Sequence, residues 1–424
     1  MTLECVRCGA VMPSLRCEAC GSSDPMLANT RVSMASPETT LRSWREGFGM
    51  MLAQQQRQLD GLRSAIDGAF GPSLPRLTAM AEAIASQVEG LRGLFEAIGL
   101  PVLPPPRTAP PFNPHSGYVQ LLRDWAWPDD VQNRRAAEAM MAVEGASWGR
   151  ALVLGAGAGG LAAQLHAASG AEETIALDLN PLPLLVFDRL IAGTEVELWE
   201  FPAYPSQPER WAVRHRLSRP ARPEGLLPWL ADALALPFAT GSFDVVVTHW
   251  FLDRIGQDSA TVASLVHRLL RPGGVWINRG PLLYEGSRPW VGRHDIGEAL
   301  AWAKALGFDA PTPDAEAIDY LDSPWSTQRR REVVYTFGAT KRCSESWLDD
   351  DASPVPEALA GAASHGDPIT TWCLQQLGGA RSIADLARGI RERTKMPYAA
   401  AREGVRERLH RAWGRQLSKS TAQG

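Results

Sequence analysis

The chain has 424 residues, of which 45% are hydrophobic and 21% are charged, and its formal net charge is −4. These values are typical of a globular protein with roughly two or three domains, and they exclude a largely disordered chain. The small negative charge gives no general attraction to nucleic acid or to an anionic membrane, so we expect neither as a partner. The first residues lack an apolar secretory core and no long apolar run follows, so a cytoplasmic location is expected.

The first predicted domain, residues 1–25, is a cysteine module. Two Cys-x-x-Cys-Gly knuckles contain Cys5, Cys8, Cys17 and Cys20. Each knuckle places two thiolates on a tight turn, and the pair of knuckles can close a tetrahedral zinc site. Redox-active dithiols are the alternative, but two copies at this spacing fit that chemistry poorly. Because four protein ligands leave no open position, we expect a structural zinc ion.

Residues 26–111 are predicted to be a helical region followed by a proline-rich linker. Apolar residues recur at helical spacing from Pro37 to Leu100, and the pattern is interrupted at Gly71-Pro72. Pro101–Pro111 contains six prolines, which indicates an extended linker or a packed crossover.

In residues 112–342, short β-branched runs alternate with helical stretches, which indicates a Rossmann-like α/β domain with a parallel sheet and helices on both faces. The candidate strands are Arg150–Leu154, Glu173–Leu177, Phe243–Thr248 and Gly274–Asn278.

The first of these strands runs into a glycine-rich turn and then a helix. In this turn, Gly155, Gly157 and Gly159 permit positive φ and a close approach of the backbone to a ligand, and the helix start offers free N–H groups. Asp178 ends the next strand, where a carboxylate can bind both hydroxyls of a ribose. Taken alone, the pattern also satisfies the dinucleotide fingerprint through Gly155, Gly157 and Gly160, so a dehydrogenase and a cofactor-free relic remain open at this point.

Three later segments resemble class I S-adenosylmethionine-dependent methyltransferases. They are the Asp232-Ala-Leu-Ala-Leu-Pro-Phe segment, the Gly-Ser-Phe-Asp244 turn, and the Leu-Leu-Arg-Pro-Gly-Gly274 turn before a strand. The resemblance implies S-adenosylmethionine as cofactor, with Asp232 near the adenine amino group. The expected cofactor-binding residues are Gly155, Ala156, Gly157, Gly159, Asp178, Leu179, Asp232, Ala233, Arg123, Trp125 and His249.

A narrower resemblance covers the chain from Tyr118 to Lys341. The string from Gly274 to Tyr284, Gly-Val-Trp-Ile-Asn-Arg-Gly-Pro-Leu-Leu-Tyr, is similar to a signature of the carnosine N-methyltransferase family. The Arg-Asp-Trp motif ending at Trp125 and the His-Trp-Phe-Leu-Asp motif ending at Asp253 resemble two further signatures of that family. Its members methylate an imidazole nitrogen of histidine, in a β-alanyl dipeptide or in proteins.

The resemblance implies a role for four residues. Asp253 would hold the imidazole, Tyr320 would contact the substrate, and Asn278 and Tyr284 would shape the pocket. From the residues alone, Asn278 could equally cap the end of its strand.

The chain departs from the family pattern at three positions. Ala126 stands where the family has serine, Gly160 where it usually has arginine, and Glu285 where it usually has histidine. The acid at 285 suggests a different substrate around a preserved reaction centre. Three functions stay open: imidazole methylation in a small molecule or peptide, methylation of another N or O acceptor, and a cofactor-binding scaffold that recruits a peptide.

Residues 355–418 are predicted to be a helical domain, with Ser382 as an N-cap and Asp385 three residues later. The segment from Trp372 to Leu386 resembles PqqD-like peptide-binding domains, which implies a peptide or protein partner. A helical lid or a dimerisation element is the alternative. Five arginines at 402, 406, 408, 411 and 415 alternate with glutamates, so we expect a solvated helix face rather than a nucleic-acid site.

Overall fold

The structure is a computed structural model that describes residues 2–105, 117–128, 131–207, 209–218, 223–286, 288–309, 312–342, 346–362, 364 and 366–421. Its strands are β1 (Met26–Leu27), β2 (Thr30–Ser33), β3 (Arg150–Leu154), β4 (Glu173–Asp178), β5 (Val196–Glu200), β6 (Val213–Leu217), β7 (Leu226–Ala231), β8 (Phe243–His249), β9 (Leu270–Gly280), β10 (Asp314–Asp319) and β11 (Arg331–Thr340).

The helices are α1 (Pro37–Ile66), α2 (Leu74–Ala97), α3 (Tyr118–Trp125), α4 (Val131–Met141), α5 (Gly160–Ser169), α6 (Pro181–Ile191), α7 (Ser259–Leu269), α8 (Ile296–Ala305), α9 (Ser346–Asp349), α10 (Pro368–Gln375), α11 (Ile383–Thr394) and α12 (Tyr398–Thr421). Within the described part of the chain, no helix combines the length and the apolar character needed to cross a bilayer.

Nine strands form the central sheet, in the order β1-β2-β7-β4-β3-β8-β9-β11-β10. Along this order, each strand from β2 through β7, β4, β3 and β8 to β9 is parallel to the next. β11 is antiparallel to both of its neighbours. All four strands expected from the sequence are present. β3 has the predicted bounds, β4 and β8 each extend one residue further, and β9 is longer at both ends. The predicted Rossmann-like α/β fold is therefore confirmed.

Alternate side chains of the buried strands enter two different cores, which explains why the parallel strands are apolar over most of their length. Val153 of β3 belongs to a core that includes helices α5 and α6. Its neighbours Leu152 and Leu154 belong to a second core that includes α7 and α8. Helices therefore cover both faces of the sheet, and the carboxyl ends of β3, β4, β7 and β8 share one edge.

The N-terminal region extends this domain in a way that the sequence did not indicate. Residues 26–33, which we placed in the helical region, form β1 and β2, and β2 pairs in parallel with β7. Helices α1 and α2 then form an antiparallel hairpin in which the rings of Phe48 and Phe95 stack with centroids 4.2 Å apart. The predicted break is a short 3-10 turn at Gly71–Ser73. The later part of the proline-rich segment, 106–111, lies outside the described residues.

The expectation of a solvated arginine face on the last helix is wrong for most of its members. Arg402 and Arg406 of α12 are 2% and 0% exposed. Arg406 pairs with Asp351, and Arg411 pairs with Asp258 at the start of α7. Burial alone would raise the pKa of Asp351, but the positive charges of Arg406, Arg402 and Arg268 hold that pKa at about 2. Because Asp351 and Asp258 are far from the arginines of α12 in sequence, the local alternation of arginine and glutamate did not indicate that α12 is buried.

At the start of α11, the predicted cap is present. Ser382 and Asp385 form a reciprocal capping box, in which each side chain accepts a hydrogen bond from the other residue's backbone N–H.

Candidate active site

The glycine turn after β3 has the backbone that its sequence predicts. Gly155, Gly157 and Gly159 have φ values of +69°, +55° and +76°. The carboxylate of Asp178, at the end of β4, accepts hydrogen bonds of 2.8 Å from the N–H groups of Gly157 and Asn180. Burial raises the pKa of Asp178. This side chain therefore ties the turn to the neighbouring strand at the edge where the cofactor is expected.

The three glycines differ in what surrounds them. A Cβ at Gly159 would lie 2.4 Å from the Phe187 ring, and one at Gly155 would lie 2.9 Å from Phe251. A Cβ at Gly157 would meet no described atom within 4 Å. The backbone of Gly157 is thus an open surface at the carboxyl edge, which fits the close approach of an adenosyl group.

Helix α3 is fastened onto this turn by the Arg-Asp-Trp motif. Asp124 accepts hydrogen bonds from the Gly160 N–H (3.0 Å) and the Asn133 side chain (2.8 Å). The indole of Trp125 donates to the Ala158 carbonyl at 2.8 Å. A Cβ at position 160 would lie 2.6 Å from the Asp124 carboxylate, which gives a physical reason for glycine at this position. Asp124, which we did not predict as a site residue, therefore caps the start of α5.

The other expected cofactor residues follow the same edge of the sheet. Leu179 follows β4 directly and is exposed, while Asp232 follows β7 and caps the short turn Ala233–Ala235 by accepting from the Leu234 N–H at 2.9 Å. His249 ends β8, and its Nε2 is buried without a hydrogen-bond partner among the described residues. Burial and the charges of Arg123 and Arg279 hold the pKa of His249 well below its usual value, so its imidazole is neutral at pH 7.

Beyond His249, two aromatic rings form a wall. Trp250 stacks on Tyr320 with centroids 4.5 Å apart and an interplanar angle of 11°. The indole N–H of Trp250 donates to Glu332 at 3.0 Å, and the Arg123 guanidinium lies 5.9 Å from the Tyr320 ring. Trp250 and Leu321 adopt left-handed φ values of +49° and +52°. Such strain is held by the surrounding structure and is concentrated at functional sites.

Asp253, in the loop after β8, is a buried carboxylate that can accept a further hydrogen bond. It is 4% exposed, and its Oδ2 accepts a 3.2 Å hydrogen bond from the Leu283 N–H. Its Oδ1 is buried with no hydrogen-bond partner in the described part of the chain. Burial raises the pKa of Asp253 to about 6. A buried acceptor without a donor is costly, so this oxygen is suited to a donor on a ligand.

The two remaining predicted pocket residues are engaged within the protein. Asn278, within β9, accepts from the Thr248 hydroxyl at 2.9 Å and donates to the Tyr335 carbonyl at 3.2 Å. The Tyr284 hydroxyl donates to the His294 carbonyl at 2.8 Å, and burial raises the pKa of Tyr284 to about 12. The contacts of Asn278 join β9 to β8 and β11, and the contact of Tyr284 ties it to His294.

Tyr320 also lines a cavity of about 550 Å³. Its lining includes Tyr118, Glu200 and Arg330, with Gln55 and Gln87 from the N-terminal helices. Sequence reasoning missed Glu200, although its buried carboxylate accepts hydrogen bonds from Trp127 and Ser323 and contacts His215. No local motif marks this residue, because its partners come from three separate segments.

The four cysteines of the N-terminal module converge on one point. Their sulfur atoms all lie within 4.8 Å of one another, and the Cys5–Cys20 and Cys8–Cys17 pairs are 3.6 and 3.5 Å apart. A disulfide would need about 2.05 Å. Sulfur atoms about 2.3 Å from a central zinc ion would lie about 3.8 Å apart at tetrahedral angles, so the donor set fits zinc.

The difference between Gly157 and Gly159 leads to a first prediction. Gly157→Ala should lower cofactor affinity while costing only about 1–2 kcal/mol of stability, from the positive φ. Gly159→Ala should instead destabilise the fold by an additional 1–3 kcal/mol, roughly, because its Cβ collides with Phe187. Urea unfolding and calorimetric titration with S-adenosylhomocysteine would measure both effects. Unchanged affinity in Gly157→Ala would show that the cofactor does not approach this backbone.

Part of the chain matches the model of one protein family. Residues 208–277, which include β7, β8 and most of β9, match the family model described as a methyltransferase domain. No sequence among curated proteins matches the chain.

Several solved structures are similar in fold at low sequence identity. A methyltransferase from Methanosarcina mazei has 14% identity and a TM-score of 0.32, over 46% of this chain and 93% of that chain. Phosphoethanolamine N-methyltransferase 2 of Haemonchus contortus has 16% identity and a TM-score of 0.33, over 54% and 56%. Human N-acetylserotonin methyltransferase has 13% identity and a TM-score of 0.32, over 53% and 55%.

Proposed function

We propose that this chain, which is an S-adenosylmethionine-dependent methyltransferase, methylates an imidazole nitrogen of histidine in a small molecule or a peptide. One observation supports the acceptor above all others. Asp253 is a buried carboxylate at the carboxyl edge of the sheet, and its Oδ1 has no donor among the described residues. An imidazole N–H is a donor of the right kind, and its other ring nitrogen carries the lone pair that is methylated.

The residues of this site would bind and orient the cofactor. Gly157 presents its open backbone, Asp178 accepts from the ribose hydroxyls, and Asp232 lies by the adenine. Trp125 covers the turn from the side of α3. S-Adenosylmethionine supplies an electrophilic methyl group on a sulfonium sulfur. Every further contribution comes from the placement of the acceptor.

Asp253 fixes the tautomer of the acceptor. When Oδ1 accepts the N–H of one ring nitrogen, the proton is held there and the lone pair lies on the other nitrogen. That nitrogen forms the new bond to carbon while the carbon–sulfur bond breaks and its electron pair remains on sulfur. The ring becomes cationic, and the carboxylate stabilises it until the N–H proton is released to solvent. Alignment of this kind can contribute about 7–11 kcal/mol at best.

The aromatic wall would hold the ring of the acceptor, and the cavity beyond Tyr320 would receive the rest of the molecule. Trp250 and Tyr320 provide flat apolar surfaces, and Arg330 and Gln55 are polar groups at the cavity wall. We assign Asn278 and Tyr284 a positioning role, because both side chains are used by neighbouring backbone or hydroxyl groups. Glu285 is exposed and pairs with Arg254 at 2.8 Å. It would contact parts of the acceptor beyond the imidazole.

The experiment is a transfer assay with radiolabelled cofactor. Carnosine, free histidine, a histidine-containing peptide, and the same peptide with glutamine in place of histidine are compared as acceptors. We expect label in at least one imidazole-containing acceptor and none in the glutamine peptide. Label in the glutamine peptide, or on the amino group of carnosine or histidine, would show that the acceptor is another N or O group. Cofactor binding with no transfer to any acceptor would favour a recruiting scaffold.

We also propose that the cysteine module binds a structural zinc ion through Cys5, Cys8, Cys17 and Cys20. The spacing of the four sulfur atoms supports this assignment. The ion would replace the hydrophobic core that so short a segment lacks, because the module's own buried cluster contains only Cys5, Met12 and Cys17.

A further inference from the structure

The cysteine module does not stand apart from the methyltransferase domain. Its first knuckle lies between the turn that follows Asp232 and the start of α12. The Glu4 N–H donates to the Pro237 carbonyl at 2.7 Å, and Leu3 forms a β-bridge with Phe238. The first knuckle is therefore hydrogen-bonded to the chain just beyond the predicted adenine site.

The same knuckle also forms hydrogen bonds with the start of the last helix, α12. The N–H groups of Tyr398 and Ala399 donate to the carbonyls of Arg7 and Val6 at 3.1 and 3.0 Å. Gly9 lies flat against the Tyr398 ring, so that a Cβ there would be 2.3 Å from it. These hydrogen bonds give the first residues of α12 partners that a helix start otherwise lacks.

Side chains complete a three-way contact. Val6 of the knuckle, Ala235 of the turn and Ala399 of α12 form one buried cluster. Arg402, buried in α12, pairs with Glu4 and donates to the Leu236 carbonyl at 3.2 Å. Ala235 belongs to the turn that Asp232 caps, so this contact lies three residues from the carboxylate that we expect to face the adenine.

Each knuckle residue that makes these contacts is next to a proposed metal ligand in the sequence. Glu4 and Val6 flank Cys5, while Arg7 and Gly9 flank Cys8. Without a metal, few apolar contacts stabilise the backbone around the four thiols, because the module's own apolar cluster is small. A bound zinc ion fixes the carbonyls of Val6 and Arg7 in the positions that α12 uses.

We propose that metal binding at the four cysteines is positively coupled to cofactor binding at Asp232, through the contact of the first knuckle with residues 235–238 and with α12. This inference rests on the proposed metal site and on the placement of the cofactor at Asp232. Thermodynamic linkage requires the coupling to be reciprocal, so zinc raises cofactor affinity by the factor by which the cofactor raises zinc affinity.

The test uses the full chain and two binding measurements. Zinc content is determined by mass spectrometry, and the Kd for S-adenosylhomocysteine is measured by calorimetry before and after removal of zinc with a chelator. Zinc affinity is then measured by chelator competition with and without S-adenosylhomocysteine. We expect about one zinc ion per chain and a change of about five-fold or more in both directions. Zinc binding with an unchanged cofactor Kd would overturn the coupling and leave the zinc site intact.

Two matched variants guard against unfolding of the metal-free protein. Glu4→Gln removes the ion pair with Arg402 but none of the four cysteines, so it should keep its zinc and show a smaller coupling factor. Glu18→Gln makes the same change at an exposed position of the module and should keep the full factor. Equal factors in the two variants would overturn the proposed route. Absence of zinc would overturn the metal site, and absence of cofactor binding in every form would overturn the cofactor assignment itself.

Discussion

Replacing Asp253 by Asn is expected to lower turnover by about 10²–10⁴-fold, while cofactor affinity stays within about two-fold of the wild type. The amide can still accept the Leu283 N–H, so the loop keeps its hydrogen bond. It cannot stabilise the cationic ring, and it can present its NH2 group to the acceptor in place of an oxygen. Single-turnover kinetics with labelled cofactor would measure the effect. Asp314→Asn, at an exposed position on β10, is the control and should be fully active.

The pH profile gives the same prediction a second readout. Because burial raises the pKa of Asp253 to about 6, wild-type turnover should rise as the pH increases through about 6 and the carboxylate ionises. In Asp253→Asn the part of this rise that comes from Asp253 should be absent, so turnover should increase less over the same pH range than in the wild type. An identical rise in both proteins would assign it to the acceptor imidazole, whose free pKa is also near 6.5.

Stability should move in the direction opposite to activity. A carboxyl group whose pKa is higher in the folded state contributes stability that is complete below its unfolded pKa of about 3.9. That contribution is lost as the pH rises through about 6. At pH 7 the ionised Asp253 therefore destabilises the fold, and Asp253→Asn should unfold at an equal or higher urea concentration. A lower urea midpoint in the variant would mean that Asp253 has a structural role.

Replacing Asp178 by Ala should raise the Kd for S-adenosylhomocysteine by about 10²–10⁴-fold, since each hydrogen bond to a charged group contributes about 1.5–3 kcal/mol. The change removes the carboxylate that we propose accepts from two ribose hydroxyls. It also leaves the N–H groups of Gly157 and Asn180 without their carboxylate, so the glycine turn loses its tie to β4. Calorimetry would measure the Kd, with Glu172→Gln, an exposed acid before the same strand, as the control. Near wild-type affinity in Asp178→Ala would place the cofactor elsewhere.

The features that the sequence predicted well are local ones. The β3 strand, the glycine turn and the capping box at Ser382 each depend on residues within about one turn or strand of one another. The edge position of Asp178 followed from the same alternation of strand and helix. In these segments, backbone preference and hydrophobic pattern agree with the final fold.

The features that were missed depend on distant partners. The sequence around Arg406 is typical of a solvated helix face, but its partner Asp351 lies in a distant segment. The pairing of β2 with β7 joins segments about 200 residues apart in sequence. Asp124 lay inside a recognised motif, but its role in capping α5 became visible only when α3 was docked on the turn. The stacking of Trp250 on Tyr320 likewise has no local signal.

The position of the transferred methyl group tests the central claim most directly. The product formed from a histidine-containing peptide or carnosine would be fragmented by tandem mass spectrometry, and its ring nitrogens would be assigned by NMR. We predict one added methyl group on an imidazole nitrogen with the wild-type protein and almost none with Asp253→Asn. A methyl group on an amine, hydroxyl or carboxylate oxygen, or an equal yield of methylimidazole from Asp253→Asn, would contradict the account.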